Sequence, residues 1–213
     1  MKICITFIIS LFLAVWIPAR VNSQVLPERQ WPAYRGYLSS GVLDKADLPE
    51  KFNSDRSENI RWKINIPGMG ISSPVIWGDR LFITTAVSET DKAGFKPGLY
   101  GDVTPVNDSS VHEWKLYCID KNNGRTIWER TSCRGIPKIR RHPKSTHANS
   151  TAATDGQHVV AFFGSEGLYC YDINGKLLWQ KNFGVLRSAF FIMKNAEWEF
   201  ASSPVLHQGV VII

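Results

Sequence analysis

The chain has 213 residues, with 25 Lys or Arg against 19 Asp or Glu and a formal charge of +6. Hydrophobic residues make up 44% and charged residues 21%, which excludes a generally disordered chain. Eight tryptophans call for a sizeable packed structure, and the length suits one or two domains.

At the N-terminus a single basic residue, Lys2, precedes an apolar run from Ile3 to Ile17 that ends at Pro18-Ala19. This pattern predicts a secretory signal peptide over residues 1–23, cleaved after Ser23 or, alternatively, after Ala19. The run is short for an uncleaved membrane anchor, and no second span follows. The expected location is therefore periplasmic or secreted, with no membrane span after cleavage. Cleavage removes Lys2 and Arg20, so the mature charge falls to +4, and it leaves Cys118, Cys133 and Cys170. Three cysteines are too few for a disulfide scaffold, and export permits one bridge without requiring it.

Residues 24–59 lack periodicity and are punctuated by Pro27, Pro32, Gly36, Gly41 and Pro49, so they read as an N-terminal arm. Trp31, Tyr34 and Tyr37 can pack that arm against a domain. Apolar alternation from Ile60 to Ile66 predicts a strand, ended by Pro67-Gly68.

From Ser73 onward the sequence repeats itself. Unit one runs through Val75-Ile76, a turn at Gly78-Asp79, Leu81–Thr85, Trp114–Asp120, a turn at Asn122–Gly124, and Arg125–Glu129. Unit two runs through Ala152–Thr154, a turn at Asp155-Gly156, Val159–Phe163, Gly167–Asp172, a turn at Asn174-Gly175, and Lys176–Gln180. Unit three begins at Ser203–Leu206 and Val210–Ile213. Asp120 to Asp172 is 52 residues, and Trp128 to Trp179 is 51. Leu81 to Val159 is 78, which places an insertion near residues 86–112, read as a long surface loop. Four short strands recurring at this period predict an all-β fold, a β-propeller of four-stranded antiparallel blades. Residues 60–213 would supply about two blades and the start of a third. A closed ring needs further blades, so the chain reads as the N-terminal piece of a longer protein.

The repeated residues have structural explanations. Gly124 and Gly175 sit where a tight turn needs positive φ. Asp120 and Asp172 can accept the backbone hydrogen bonds that close those turns. Trp128 and Trp179 occupy one point of the fourth strand, where they can pack over the junction between blades. Cys118 and Cys170 share one strand position, and Cys133 falls in a loop.

The motif Leu116-Tyr117-Cys118-Ile119-Asp120, followed by Gly124 and Trp128 and echoed at 168–179, resembles the pyrroloquinoline quinone (PQQ) repeat family. Ser72-Ser73-Pro74-Val75 and Ser202-Ser203-Pro204-Val205 fit the same pattern. Trp31-Pro32-Ala33-Tyr34-Arg35-Gly36 is similar to the opening of the PQQ-like propeller group of exported bacterial proteins. The resemblance covers about residues 28–213 and implies seven or eight blades when complete. It also implies that the Trp62 segment pairs with a final blade to close the ring. The family contains quinoprotein alcohol and sugar dehydrogenases, and non-enzymatic relatives that bind protein partners. The dehydrogenases use an adjacent cysteine pair against the quinone, with a carboxylate and an amide on calcium. This sequence has no adjacent cysteine pair.

Two segments stand apart from repeat filler. Residues 134–149 carry Arg134, Lys138, Arg140, Arg141, Lys144, His142 and His147, with no acid from Arg130 to Thr154. As an inter-unit connection this segment can meet an anion, an acidic partner or, through the two histidines, a metal. The plainer reading is a solvated basic loop, and two histidines lack the third ligand a metal site requires. Residues 190–200 carry Phe190, Phe191 and Trp198, with Glu197 and Glu199 able to answer the positive charge. Glu166, in the turn Gly164–Gly167, is a further polar candidate. Gly68-Met69-Gly70 lacks the spacing of a nucleotide loop, and no nucleophile motif appears. No DNA- or RNA-binding motif occurs, so no specific nucleic-acid binding is expected. The expected function is an exported binding or scaffolding module, taking a protein partner or small ligand at a propeller face, with no catalytic or metal residue in this segment. The alternative is a quinoprotein dehydrogenase with PQQ and calcium, and the sequence leaves enzymatic activity open.

Overall fold

The computed structural model describes residues 25–90, 95–96, 104–189 and 197–213. The signal-peptide segment, Phe190 and Phe191 lie outside the described residues.

Among the described residues, ten strands make three antiparallel sheets in chain order. Sheet one contains β1 (Val75–Trp77), β2 (Arg80–Ser88), β3 (His112–Asp120) and β4 (Thr126–Gly135). Sheet two contains β5 (Ala153–Thr154), β6 (His158–Phe162), β7 (Leu168–Asp172) and β8 (Leu177–Lys181). The third sheet is a hairpin of β9 (Val205–His207) and β10 (Val210–Ile212). Each four-stranded sheet is ordered as in the sequence, so every connection within it is a hairpin. The registers match. Cys118 lies opposite Trp128 and Cys170 opposite Trp179, and a register shift follows each cysteine.

The inner strands β6 and β7 of sheet two are buried on both faces, which explains their near-continuous apolar sequences, while the outer strand β8 is exposed. Val159, Ala161, Tyr169 and Tyr171 join Val75, Phe82, Trp114, Leu116 and Trp128 of sheet one in one core. Val160, Phe162, Leu168 and Cys170 point the other way and receive Leu206 and Val211 of the hairpin. The alternation of one strand thus serves two interfaces.

Tryptophan rings join neighbouring units at their turns. The turn after β3 is closed by the Gly124 N–H donating to Asp120 O (2.8 Å) and the Asn122 N–H donating to Asp120 Oδ1 (2.8 Å). In the turn after β7, Asp172 Oδ1 accepts the N–H groups of Asn174 and Lys176, each at 2.9 Å. Gly175 has φ +84°, and a Cβ there would lie 2.8 Å from the Trp128 ring. Trp128 Nε1 donates to Ile173 O in the same turn at 3.2 Å. Trp62 repeats this geometry one unit earlier. Its ring covers Gly124 (2.8 Å to a Cβ there), and its Nε1 donates to Lys121 O at 2.8 Å.

The structure departs from the sequence expectations at four places. Residues 60–66 pair in no strand among the described residues, and the Trp62 side chain is held by the turn at 121–124. The insertion is only partly a loop, since β2 and β3 run on to Ser88 and His112. Residues 106–112 then fold back, with Val106 N–H donating to Arg141 O at 2.8 Å. Cys133 belongs to β4, opposite Trp114, rather than to a loop. The connection after β4 is largely buried and not a solvated loop. Cys118, Cys133 and Cys170 are free thiols.

The two ends of the strands differ. The turns at 78–79, 121–124, 155–156, 173–175 and 208–209 all lie at one end. The N-terminal arm packs there, through a Trp31–Ile76 bridge, the Thr154 N–H donating to Pro32 O (2.8 Å) and the Gly78 N–H donating to Gln30 Oε1 (2.8 Å). The described parts of the connection from β2 to β3 and of the connections after β4 and β8 lie at the opposite end, where the candidate site is built.

Candidate functional site

At that opposite end His147, in the connection after β4, meets β3 and the segment after β8. Its backbone carbonyl accepts the Trp114 indole N–H from β3 at 2.9 Å. Its Nδ1 lies 2.7 Å from Glu199 Oε2, both side chains almost fully buried. Its ring stands edge-on to His112, 5.0 Å between centroids. His112 in turn has Nδ1 3.0 Å from Ser110 O, and Nε2 3.5 Å from Asp108 Oδ2.

The local chain explains why His147 sits there. Asn149 Oδ1 accepts from the Thr146 N–H and hydroxyl, both at 2.9 Å, while Asn149 Nδ2 donates to Ser145 Oγ at 2.7 Å. The buried Arg141 guanidinium donates to Ser145 O at 2.9 Å. These bonds wind residues 141–149 into a self-satisfied buried turn, as buried polar backbone demands. A cavity of about 20 Å3 lies among Met69, Ser88, Asp108, His112, Arg141 and His147, roomy enough for about one water.

Burial sets the protonation states. Loss of solvent pushes His147 down to about 4, with Arg141 adding to the shift. Loss of solvent raises Glu199 to about 8, with Glu197 adding to it. Both shifts favour the uncharged forms, so the 2.7 Å contact joins a carboxyl and an imidazole that are each biased toward neutrality. Burial also lowers His112. For Asp108, burial opposes ionisation, but the hydrogen bonds from Ser110 outweigh it and hold the carboxyl below its ordinary range.

The other candidates fall into two sets. Glu166 is buried in a 3-10 turn, and its Oε1 accepts the Lys138 backbone N–H at 2.9 Å. The Lys138 ammonium donates to Ser165 O. Burial raises the Glu166 carboxyl, and its Oε2 has no hydrogen-bond partner. Glu197 is buried against Arg187 at 2.7 Å. Glu199, not Glu197, answers the basic connection. By contrast Arg140 is exposed and Lys144 half-exposed. Trp198 is 48% exposed and stacks on the buried His142 ring, 5.0 Å between centroids. Ile136, earlier in the same connection, is 58% exposed. Arg141, His142 and His147 thus turn inward, and Arg140, Lys144 and Trp198 outward.

Sequence reading missed Asp108, His112 and Trp114. The one available signal was the offset of 78 against 52, which marks where unit one departs from the repeat.

Among the described residues no group of three or more His, Cys, Asp or Glu is arranged to hold a metal ion. Cys118 and Cys170 are buried in different sheets, and burial holds their thiols at about 12 and about 11. The described residues therefore do not fit PQQ with calcium. Among the described residues no helix is long and apolar enough to cross a membrane.

No protein-family model matches the sequence, and no curated protein matches it. Among solved structures, the chain is similar to BamB from Moraxella catarrhalis at 16% identity. That match has a TM-score of 0.32 and covers 71% of this chain and 49% of the other, so the chain spans about half of its length.

Proposed function

We propose that the chain forms part of an exported, PQQ-like β-propeller that binds a protein partner and performs no chemistry in this segment. Residues 1–23 serve as the signal peptide, 24–59 as an arm, and 60–213 as blades, with ring closure supplied by further blades. The N-terminal apolar run supports export to the periplasm or beyond. The repeated register and the tryptophan-on-turn joint support the propeller. Trp179, at the position of Trp128, is 39% exposed and would dock on the next unit's turn.

One observation carries the binding reading. His147 and His112 are paired with Glu199 and Asp108 inside the protein, while Arg140, Lys144, Ile136 and Trp198 are not buried. Aromatic and cationic side chains on a rigid frame are the usual anchors of an interface. A small ligand would instead find room at the opposite end, in a cavity of about 510 Å3 lined by Tyr37, Leu38, Trp77, Leu206 and Ile212.

The test has two arms. The secreted protein is titrated with PQQ and calcium and assayed for quinone-dependent dye reduction, and a photo-crosslinking residue is placed at position 136. The expected result is no dye reduction and capture of a protein at position 136. Quinone-dependent dye reduction would overturn the reading.

A further inference from the structure

The two ends of the strands carry complementary surfaces, and one chain cannot bring them together. At the connection end the exposed groups are cationic and apolar. Arg140 and Lys144 make no side-chain bond or ion pair among the described residues, Trp198 packs at a tilt of 35° against His142, and Ile136 is exposed. The nearby acids do not offset this charge at the surface, because Glu166, Glu197 and Glu199 are all buried.

At the turn end lies the opposite pattern. Residues 44–52 are exposed throughout, and Leu48 and Phe52 are 76% and 72% exposed. Asp44, Asp47 and Glu50 surround Leu48 and have no partner among the described residues, with Lys45 and Lys51 interleaved. The segment stays at that end. Asn59 Nδ2 donates to Lys51 O at 2.8 Å, and Lys63 Nζ donates to Ser54 O at 3.2 Å, next to the docked Trp62. Two large apolar side chains standing this far from any core mark an uncovered contact surface.

We propose that the acidic arm at 44–52 of one copy seats on the cationic, tryptophan-bearing connection face of another. Leu48 and Phe52 lie against Trp198 and Ile136, and Asp47 and Glu50 face Arg140 and Lys144. The contact is heterologous, head to tail, because the two surfaces lie at opposite ends of the strands. It rests on the reading of the chain as a binding module and gives that module a partner of its own kind. Complementary exposed charges speed such an encounter and fix its register, while the apolar anchors hold it.

Sedimentation of the secreted chain tests this. Wild type self-associates with rising concentration, and the association weakens as NaCl rises from about 0.1 to about 1 M, because screening shortens to a few ångström. A face variant, Arg140→Glu with Lys144→Glu, and an arm variant, Asp47→Lys with Glu50→Lys, each self-associate about tenfold or more weakly. None of the four positions is buried, so both variants keep the wild-type circular dichroism and melting temperature. Mixing the two variants restores association, because each reversed surface then meets its complement. Wild type that stays monomeric, or a mixture that does not recover, overturns the proposal. Capture of a foreign acidic protein at position 136 by a monomeric wild type also overturns it, while leaving the binding reading standing. Quinone-dependent dye reduction would overturn the binding reading and leave the sedimentation result untouched.

Discussion

Sheets one and two share strand order, turn chemistry and the register of cysteine opposite tryptophan, yet only sheet one builds a site. The difference is the length of the second and third strands. In sheet two these are five residues each, and the chain reverses through the 3-10 turn at Gly164–Glu166. In sheet one they are nine residues each, so four further pairs extend beyond the shared frame. Those pairs carry Trp114 and His112, which hold the His147 carbonyl and meet the His147 ring. The common residues hold the frame, and the departure from the repeat supplies the polar chemistry. A repeat unit must keep whatever joins it to its neighbours, and a lengthened hairpin reaches past that joint without disturbing it.

The largest expected effect comes from breaking the joint itself. Trp128→Ala removes a buried ring from between sheets one and two and should destabilise the chain by about 3–5 kcal/mol in chemical denaturation. Adding a methyl on the other side comes next. Gly175→Ala combines positive φ with a Cβ 2.8 Å from the Trp128 ring, and a loss of about 2 kcal/mol is expected in the same assay.

The His147–Glu199 pair sharpens the comparison through pH, because sheet two has no counterpart. Glu199 is raised from 4.5 to about 8, so the folded state holds a proton that the unfolded state releases. Its contribution to stability is complete below pH 4.5 and declines as pH rises toward 8. His147 is lowered from 6.5 to about 4, so its contribution is complete above pH 6.5 and is lost as pH falls toward 4. The two oppose each other between pH 4.5 and 6.5. From pH 6.5 to 8 only the Glu199 decline remains, on the order of 1 kcal/mol. Glu199→Gln should flatten that decline in denaturation curves measured across the interval. A wild-type curve already flat there would sink this assignment of protonation states.

The smallest effect is expected at the tryptophan that docks on no turn among the described residues. Trp179→Ala should destabilise by about 1 kcal/mol or less, well below Trp128→Ala, because its ring keeps much of its solvent contact. Equal losses at both positions would mean that position in the strand, and not docking on a turn, sets the energy.

The sheets were legible in the sequence because each strand and turn has a local cause. Asp, Asn and Gly mark the turns after β3 and β7, and alternation marks the strands between them. The site was less legible. His147 and Glu199 are 52 residues apart, and no local pattern announces that both are buried. A run of five cations reads as solvated until the chain is folded, and only then do Arg141 and Arg140 separate to inside and outside. The docking of Trp62 was hidden for a similar reason. Its alternation is that of a strand, but the turn it covers lies almost 60 residues further on.

Trp128, packed over the turn at 173–175 and within the shared core, couples the two repeat units into one cooperative frame. Native-state hydrogen exchange on wild type and Trp128→Ala tests it most directly. In wild type the slowest amides of β3 and β7 should open with one shared free energy, and in Trp128→Ala those of β7 should open at lower free energy than those of β3. Separate opening in wild type, or unchanged joint opening in Trp128→Ala, would contradict it.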